Sequence, residues 1–228
     1  MLVELDRTSP DSAQRIVTAS ADVATSTNLS SWINRVGLWS RSESEDYLGF
    51  QERVLKWIES PEGRHIELGV SEMNLMIMLG QLGLSDQISG QRLIPIGTVY
   101  DPFVRRGLDA FFLSVYGGAK FIVIGTPSGV TLAPEGGAHQ SIGTPLIGLT
   151  QDGLAAFEPA FADELAVILR WSFDYLQREG KGYAVDDLLD DAAGGSVYLR
   201  LSTRKIDQEK RDMTSSLASS VLAGGYWL

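Results

Sequence analysis

Residues 65–84 read HIELGVSEMNLMIMLGQLGL, and residues 91–100 read QRLIPIGTVY. The first stretch begins as a short strand, turns at a glycine and continues as an apolar segment of helical composition, and the second is a further strand. Strand, helix and strand thus follow one another with short connections. Because parallel strands must be joined by a crossover, usually a helix, this order predicts an α/β fold.

The same alternation runs through the rest of the chain. Strands are predicted at 15–27, 65–69, 91–100, 120–126 and 196–204, and helices at 44–60, 71–84, 103–118 and 159–180. We therefore predict a mostly parallel sheet with helices on both faces. Ligands of such sheets bind at the carboxyl ends of the strands, so the segments that follow these strands should meet at one edge.

Composition limits the classes of protein to consider. The chain has 228 residues and no cysteine, which excludes disulfides, thiol catalysis and cysteine-bound zinc. Its 19 basic and 29 acidic side chains give a net charge of −10, so nucleic-acid binding is not expected. No apolar run approaches the roughly 20 residues needed to cross a bilayer, and the N-terminus is unlike a signal or transit peptide. We expect a cytoplasmic protein without a membrane partner.

The organisation along the chain predicts one large domain with extensions. Residues 1–14 are a polar N-terminal extension, 15–204 the α/β domain, and 205–228 a charged linker that ends in the apolar sequence LAGGYWL. Such an end has little to bury against within the predicted domain. We expect it to be the start of a further, C-terminal domain.

A long loop follows the buried strand at 120–126. Residues 125–145 read GTPSGVTLAPEGGAHQSIGTP, rich in glycine and proline and longer than the roughly 12–15 residues usual for loops in compact domains. The loop holds His139, one of the chain's two histidines, and its glycines permit close backbone approach to a ligand. Histidine serves as an acid or base near neutral pH, so the loop is a candidate site. The alternative is an ordinary connection.

Glu72 is the most informative acid. It heads an otherwise apolar helix directly after a glycine turn. It either compensates the helix dipole or is a partly buried carboxylate that needs a partner and serves a function. His65, in contrast, is expected to be an ordinary buried or strand-edge histidine, and two histidines without HExxH spacing favour no zinc site.

Further candidates lie at the other strand ends. Tyr100 and Phe103 are either core packing or a stacking surface for a flat heteroaromatic ring. Arg105 and Arg106 are either helix-surface charges or anchors for a substrate carboxylate. Asp22 either forms a turn, caps a helix or faces a ligand. The GxGxxG, GxxxxGK[ST] and GxSxG motifs are absent, so dinucleotide, P-loop and α/β-hydrolase chemistry lack support.

Four segments carry a family resemblance, and they occur in the right order. They are GRHIELGVSEMNL, IPIGTVYDPFVRRGLDA, GTPSGVTLAPEGGAHQS and FEPAFADELAVI. The chain resembles the pyrimidine-binding domain of transketolase-like thiamine diphosphate enzymes, and most of all the homodimeric pyruvate dehydrogenase decarboxylating component. The resemblance covers about residues 15–204.

The resemblance implies roles for the cofactor-facing residues. Glu72 matches the glutamate that hydrogen-bonds the aminopyrimidine ring nitrogen and so promotes proton removal from the thiazolium C2 carbon. Tyr100 and Phe103 match aromatics that cradle the pyrimidine. Asp22 matches an aspartate that lines the cofactor near the thiazolium.

The resemblance also implies a substrate side. His139 matches the active-site histidine of this loop, with Glu135 beside it in the substrate's vicinity. Transketolases carry further histidines at the start of the loop, where this chain has Thr126, Pro127 and Ser128. That departure favours a small 2-oxo acid over sugar-phosphate transfer.

The family binds Mg²⁺ and the cofactor diphosphate through a separate domain with a GDG motif, which this sequence lacks. The resemblance therefore implies half a site, with no metal ligands in this chain and no activity in isolation. Its implied partners are the diphosphate-binding domain, a second copy in a homodimer, and a dihydrolipoamide acyltransferase. The apolar helices at 71–84 and 103–118 also favour a dimer.

Three other functions remain open. The chain is either a transketolase-type ketol-transfer domain, a non-catalytic dimerisation module that keeps the fold, or another small-molecule α/β binder. A dimerisation module has no need for Glu72 or His139, so their presence favours an enzyme.

Overall fold

The computed structural model describes residues 1–43, 57–140, 142–180 and 191–228, apart from the side chain of Val130. Most of the helix predicted at 44–60 lies outside these residues. Its last four residues are described: 57 and 58 lie in no helix or strand, and Glu59–Ser60 form a short strand instead.

Within the described residues, eight strands form one sheet in which every neighbouring pair is parallel. They are β1 Ile16–Ser20, β2 Leu38–Trp39, β3 Glu59–Ser60, β4 His65–Glu67, β5 Ile94–Val99, β6 Ile122–Gly125, β7 Leu154–Phe157 and β8 Ser196–Arg200. Across the sheet the order is β3-β2-β4-β1-β5-β6-β8-β7. Strands β2, β3 and β4 thus lie on one side of β1, and the later strands lie on the other. This change of direction creates a topological switch at the carboxyl ends of β4, β1 and β5.

Helices cover both faces of this sheet, as predicted. They are α1 Leu2–Thr8, α2 Pro10–Ala13, α3 Ser30–Val36, α4 Glu72–Gly83, α5 Ser85–Ser89, α6 Leu108–Tyr116, α7 Ala162–Gln177 and α8 Ser215–Leu222. Alternate residues of one strand face opposite cores: Ile122 and Ile124 pack with the α3 and α7 side, and Val123 packs with the α4 and α6 side. The α/β fold with two covered faces is confirmed.

Helix α4 explains the apolar stretch that opened the sequence analysis. Leu75, Met76 and Leu79 are fully buried against the sheet, whereas Met73 and Ile77 on the same helix remain 40% and 47% exposed. Leu113 and Tyr116 of α6 are exposed as well. The apolar composition of these helices therefore exceeds what the sheet covers, and the dimer stays a prediction.

Two predicted elements differ at their ends. The first strand stops at Ser20 rather than 27, because the chain then turns with a left-handed backbone at Asp22 and Asn28, both at φ 62°. The helix predicted from 103 is preceded by a 3₁₀ helix, Asp101–Gly107, and α6 starts only afterwards. Burial of Asp101, Pro102 and Val104 draws this turn onto the sheet edge.

The terminal segments pack on the domain. Residues 1–14 form α1 and α2, and Leu2, Val3 and Leu5 lie against the α3 and α7 core. After β8 the chain has no helix or strand until α8, which packs on α7. Tyr226 donates a hydrogen bond to Glu164, so part of the apolar end is held against the domain.

Candidate active site

The segments that follow the strands meet at one edge of the sheet, as predicted. The Tyr100 hydroxyl, after β5, donates to Ser26 Oγ in the segment after β1 at 2.8 Å. The Asp22 backbone N–H in that segment donates to Glu67 Oε1, at the end of β4, at 2.7 Å. These contacts tie together the two sides of the topological switch.

The long loop at 125–145 joins the same edge. It folds into three short 3₁₀ turns: Gly129–Thr131, Ala133–Glu135 and Gly137–His139. The Ser128 backbone N–H donates to the Leu201 carbonyl at 2.9 Å, which anchors the start of the loop to the segment after β8. The loop has no regularly spaced apolar residues to pack on the core, and local turns and contacts at its two ends hold it instead.

The far end of the loop is anchored to a buried carboxylate, Asp101. Thr144 Oγ1 and Tyr198 Oη each donate to Asp101 at 2.6 Å. Arg200 donates twice, from Nε and Nη2, at 3.2 Å each, and it also pairs with Glu158. Burial and the adjacent carboxylate raise the pKa of Tyr198 above its ordinary value, so its hydroxyl stays a donor. Asp101 is fully buried and saturated with donors.

Beside this anchor lies an aromatic cluster of Tyr100, Phe103 and His139. The ring centroids of Phe103 and His139 are 5.1 Å apart, those of Tyr100 and Phe103 are 6.0 Å apart, and those of Tyr100 and His139 are 6.4 Å apart. His139 Nε2 lies 3.6 Å from Glu135 Oε2. The loop histidine is therefore packed on the two predicted aromatics, with its neighbouring acid within electrostatic reach.

Glu72 reaches this cluster through an arginine. Arg106 Nη1 donates to Glu72 Oε1 at 3.0 Å, and the Arg106 guanidinium lies over the Phe103 ring, 3.8 Å from its centroid. Gly107 permits the close approach, since a Cβ there would lie 2.7 Å from Met76 Cγ and 2.8 Å from the Glu72 carbonyl oxygen. Only 8% of Glu72 is exposed, so its carboxylate is buried and partnered, as its place in the sequence suggested.

A second polar network lies under the loop that carries Asp22. His65 is fully buried, and its Nδ1 lies 2.8 Å from Thr18 Oγ1. That hydroxyl also accepts a hydrogen bond from Trp32 Nε1 at 3.0 Å and donates one to the Arg64 carbonyl at 3.4 Å. His65 Nε2 lies 3.6 Å from Glu67 Oε2. The expectation that His65 is buried is confirmed.

Glu67 links this network to the site edge. Ser20 Oγ donates to it at 2.6 Å, in addition to the Asp22 backbone N–H. Burial raises the pKa of the Glu67 carboxyl, but the contacts with His65, Ser20 and the Asp22 N–H outweigh burial and hold it below its usual range. An ionised Glu67 thus holds Asp22 in its left-handed conformation.

The structure brings most of the predicted residues together. Tyr100, Phe103, His139 and Glu135 are in mutual or sequential contact, and Glu72 joins them through Arg106. Asp22 lies apart from them, connected through its own segment and the Ser26–Tyr100 hydrogen bond.

Two contributors depend on pairing that the sequence does not show. The sequence leaves Arg106 as either a surface charge or a substrate anchor; it is exposed, and it also pairs with Glu72 within the chain. Glu67 is not among the predicted residues, although an acid at the end of an internal strand is a usable signal.

A cavity of about 740 Å³ opens at the same edge but beside the cluster. It is lined by the start of α1, the segment after β1 and residues 201–208, with Thr98 and Thr126 at its base. None of the six predicted site residues lines it. The contacts of Glu72 and His139, rather than this cavity, define the candidate site.

Two further features concern the described ranges alone. They contain no helix that is long and apolar enough to cross a membrane. They also contain no group of three histidine or acidic side chains placed to hold a metal ion.

Comparisons with known proteins support the resemblance. No family model matches the chain. It is 26% identical over 173 residues to the pyruvate dehydrogenase E1 component of Corynebacterium glutamicum, covering 75% of this chain and 19% of that protein. It is 28% identical over 177 residues to the 6-deoxy-6-sulfo-D-fructose transketolase subunit SqwH of a Clostridium species, covering 75% and 48%. The chain thus spans from about a fifth to about half the length of these curated relatives.

Solved structures show the same fold. A transketolase from Leishmania mexicana superposes with a TM-score of 0.66 at 18% identity, covering 91% of this chain and 25% of that one. A transketolase mutant from Pichia stipitis gives 0.66 at 16% identity, covering 96% and 27%. The chain is similar in sequence to pyruvate dehydrogenase E1 and transketolase-type proteins, and its fold is that of one part of a transketolase.

Proposed function

We propose that the chain is the pyrimidine-binding domain of a thiamine diphosphate-dependent enzyme that decarboxylates a 2-oxo acid. The observation that carries the proposal is the pairing of the buried Glu72 carboxylate with the face of the Phe103 ring. Both contact one planar, nitrogen-bearing group, the Arg106 guanidinium. A site that accepts such a group has the shape and the acceptor that an aminopyrimidine needs.

The donor set of this chain fits one part of the cofactor. When bound, thiamine diphosphate supplies the thiazolium carbon that attacks the substrate carbonyl. Phe103 and Tyr100 would hold the pyrimidine ring, and Glu72 would accept a hydrogen bond at a ring nitrogen. The described residues include no acidic cluster for Mg²⁺, so a separate diphosphate-binding domain would hold the metal and the diphosphate.

Burial gives Glu72 its proposed role. With 8% of the residue exposed, the carboxyl group is shielded from water, so water competes little for its hydrogen bond to a ring nitrogen. Asp22, held by Glu67, would line the cofactor on the side of the β1 segment.

We propose that His139 acts on the substrate. Its side chain is 34% exposed, so it is reachable from solvent, while its contacts with Phe103 and Tyr100 fix its position. Glu135, with Oε2 3.6 Å from His139 Nε2, would help to orient the imidazole. An imidazole so held could donate or accept a proton at the substrate's carbonyl oxygen.

The relatives support an assembly in which this chain is one part. The pyruvate dehydrogenase E1 relatives extend well beyond the matched region, and SqwH is named as a subunit. We propose a homodimeric assembly with a diphosphate-binding domain, and a dihydrolipoamide acyltransferase as the acyl acceptor.

Transketolase-type ketol transfer is the second candidate. The similarity to SqwH and to transketolase folds favours it. Thr126, Pro127 and Ser128 stand against it, because the resemblance places histidines of transketolases there. Assays with a 2-oxo acid and with a ketose phosphate separate the two.

The test uses the assembled enzyme with its diphosphate-binding domain. Glu72→Gln should slow hydrogen–deuterium exchange at thiazolium C2, whereas His139→Ala should spare that exchange and lower turnover of the 2-oxo acid. Either loss should be about 10²–10⁴-fold, as is typical for a general acid or base. Asp109→Asn, an exposed carboxylate on α6, is the matched control and should change neither rate.

Unchanged exchange in Glu72→Gln would refute the cofactor role, and unchanged turnover in His139→Ala would refute the substrate role. An assembly that binds the cofactor but turns over neither donor would favour the non-catalytic dimerisation module.

A further inference from the structure

Arg106 makes two contacts that a surface arginine does not need. Its guanidinium lies over the Phe103 ring, with Cζ 3.8 Å from the ring centroid, and Nη1 donates to Glu72 at 3.0 Å. Yet 49% of the Arg106 side chain is exposed, against 10% for the Glu72 side chain. The arginine therefore covers a buried acceptor from the solvent side rather than forming part of the core.

The chemistry of the guanidinium resembles that of the proposed ligand. A guanidinium is planar, delocalised and built on an N–C–N unit with N–H donors at its edge, and it stacks on aromatic faces. An aminopyrimidine is likewise planar, has an N–C–N unit in its ring and hydrogen-bonds at its edge. The same aromatic face and the same carboxylate thus suit both groups.

We propose that Arg106 is an internal occupant of the pyrimidine subsite, which a ligand enters only when this side chain swings out. The inference rests on the proposed function for its ligand and on the structure for its geometry. On this proposal, Arg106 determines how tightly the site binds a ligand and which ligands it selects. The selected ligands are flat, nitrogen-bearing rings that can replace a guanidinium.

Internal occupancy has a measurable consequence. A ligand that binds only the open state has its apparent affinity reduced by the fraction of molecules in that state. Removal of the guanidinium should therefore strengthen binding of flat amidine-like compounds, although it deletes a residue from the site. A residue that contacts the ligand would have the opposite effect on removal.

The experiment is a titration of the full chain with benzamidinium, a flat cation with an amidine edge, followed by NMR or calorimetry. Arg106→Ala should bind benzamidinium at least about tenfold more tightly than the wild type, which corresponds to about 1.4 kcal/mol. Adding Glu72→Gln to that variant should abolish the gain, since the ligand then loses its carboxylate.

Arg105→Ala is the matched control. Arg105 is the exposed neighbour in the same 3₁₀ helix, so its removal changes the local charge equally without opening the Phe103 face. Equal benzamidinium affinities for Arg106→Ala and Arg105→Ala would overturn the proposal, because a gain from charge alone would then explain both.

Thiamine is the second probe, and it separates this inference from the proposed function. It should gain affinity in Arg106→Ala and not in Arg105→Ala. A gain for benzamidinium without one for thiamine would remove the pyrimidine assignment, and the proposed function with it, while the internal occupancy by Arg106 would stand.

Discussion

Asp101 and Glu72 are both buried carboxylates near the carboxyl end of β5, but their surroundings differ. Asp101 is fully buried and accepts four hydrogen bonds, from Thr144, Tyr198 and twice from Arg200. In the described part of the chain, Glu72 accepts one side-chain hydrogen bond, from a half-exposed arginine. The first carboxylate has donors on all sides within the core, and the second is covered by a half-exposed side chain.

This difference distinguishes a carboxylate that stabilises the fold from one that is available to a ligand. A buried charge with all its acceptor positions filled fixes the elements that donate to it, here the start of the 3₁₀ turn, strand β8 and the end of the long loop. A buried charge with free acceptor capacity is costly for the fold and useful for a ligand. The two residues therefore predict opposite responses to the same loss of charge.

The largest expected effect is on stability at Asp101. Asp101→Asn would place an amide N–H among donors, and Arg200 would keep Glu158, which is itself half-exposed, as its carboxylate partner in the described part of the chain. Removing one partner of a buried ion pair typically costs about 3–5 kcal/mol. Urea unfolding followed by circular dichroism should show a loss of this size in the free energy of unfolding.

Asp109→Asn on α6 is the exposed control for that measurement and should stay within about 0.5 kcal/mol of the wild type. A loss below about 1 kcal/mol at Asp101 would mean that Arg200 is rescued by Glu158 or by water. The distinction between the two carboxylates would then be wrong.

An intermediate effect on stability is expected at Glu67, because only some of the acceptor positions of its carboxylate are filled. Glu67→Gln keeps the shape of the side chain but removes the charged carboxylate to which the Ser20 hydroxyl and the Asp22 N–H donate. The free energy of unfolding should therefore fall by about 1–2 kcal/mol. Because folding lowers the pKa of this carboxyl, its contribution is present above the ordinary value of 4.5 and is lost as the pH falls through the folded value.

The pH dependence supplies the check. The stability difference between the wild type and Glu67→Gln should be greatest near neutral pH and shrink below about pH 4.5. Glu62→Gln, an exposed acid in the same segment, is the control. A difference that stays constant down to low pH would show that Glu67 acts through its shape alone.

The fold could be predicted from the sequence because its signals are local. Alternating strands and helices indicate a parallel sheet, and a continuous apolar run such as 120–126 indicates a strand buried on both faces. The shortest strands could not be predicted, because β2 and β3 have two residues each, too few to show a hydrophobic period. β7 has four residues and α3 has seven, so neither is long enough to show a sustained hydrophobic period.

The candidate site was predictable only in part. Glu72 and His139 stand out because their residue types conflict with their local context, an acid at the head of an apolar helix and a histidine in a glycine-rich loop. The partners of these residues depend on pairing between distant segments. Arg106 is 34 positions from Glu72, and Arg200 is 99 from Asp101, so no local pattern indicates either pair.

The smallest stability effect is expected at Glu72 itself. Glu72→Gln removes the charge that faces Arg106, but Arg106 is half-exposed and can return to water, so the loss should be about 0–1 kcal/mol. A small gain would also agree, since functional carboxylates are often held at the expense of stability. The measurement is the same urea unfolding as for Asp101→Asn, at the same pH.

Arg106→Ala should give a similarly small change in the free energy of unfolding. If the pair is weakly coupled, the double variant Glu72→Gln with Arg106→Ala should lie within about 0.5 kcal/mol of the sum of the two single changes. A loss of about 3 kcal/mol or more in Glu72→Gln would place this carboxylate with Asp101 in the scaffold. The proposal that its acceptor capacity is kept for a ligand would then have no physical basis.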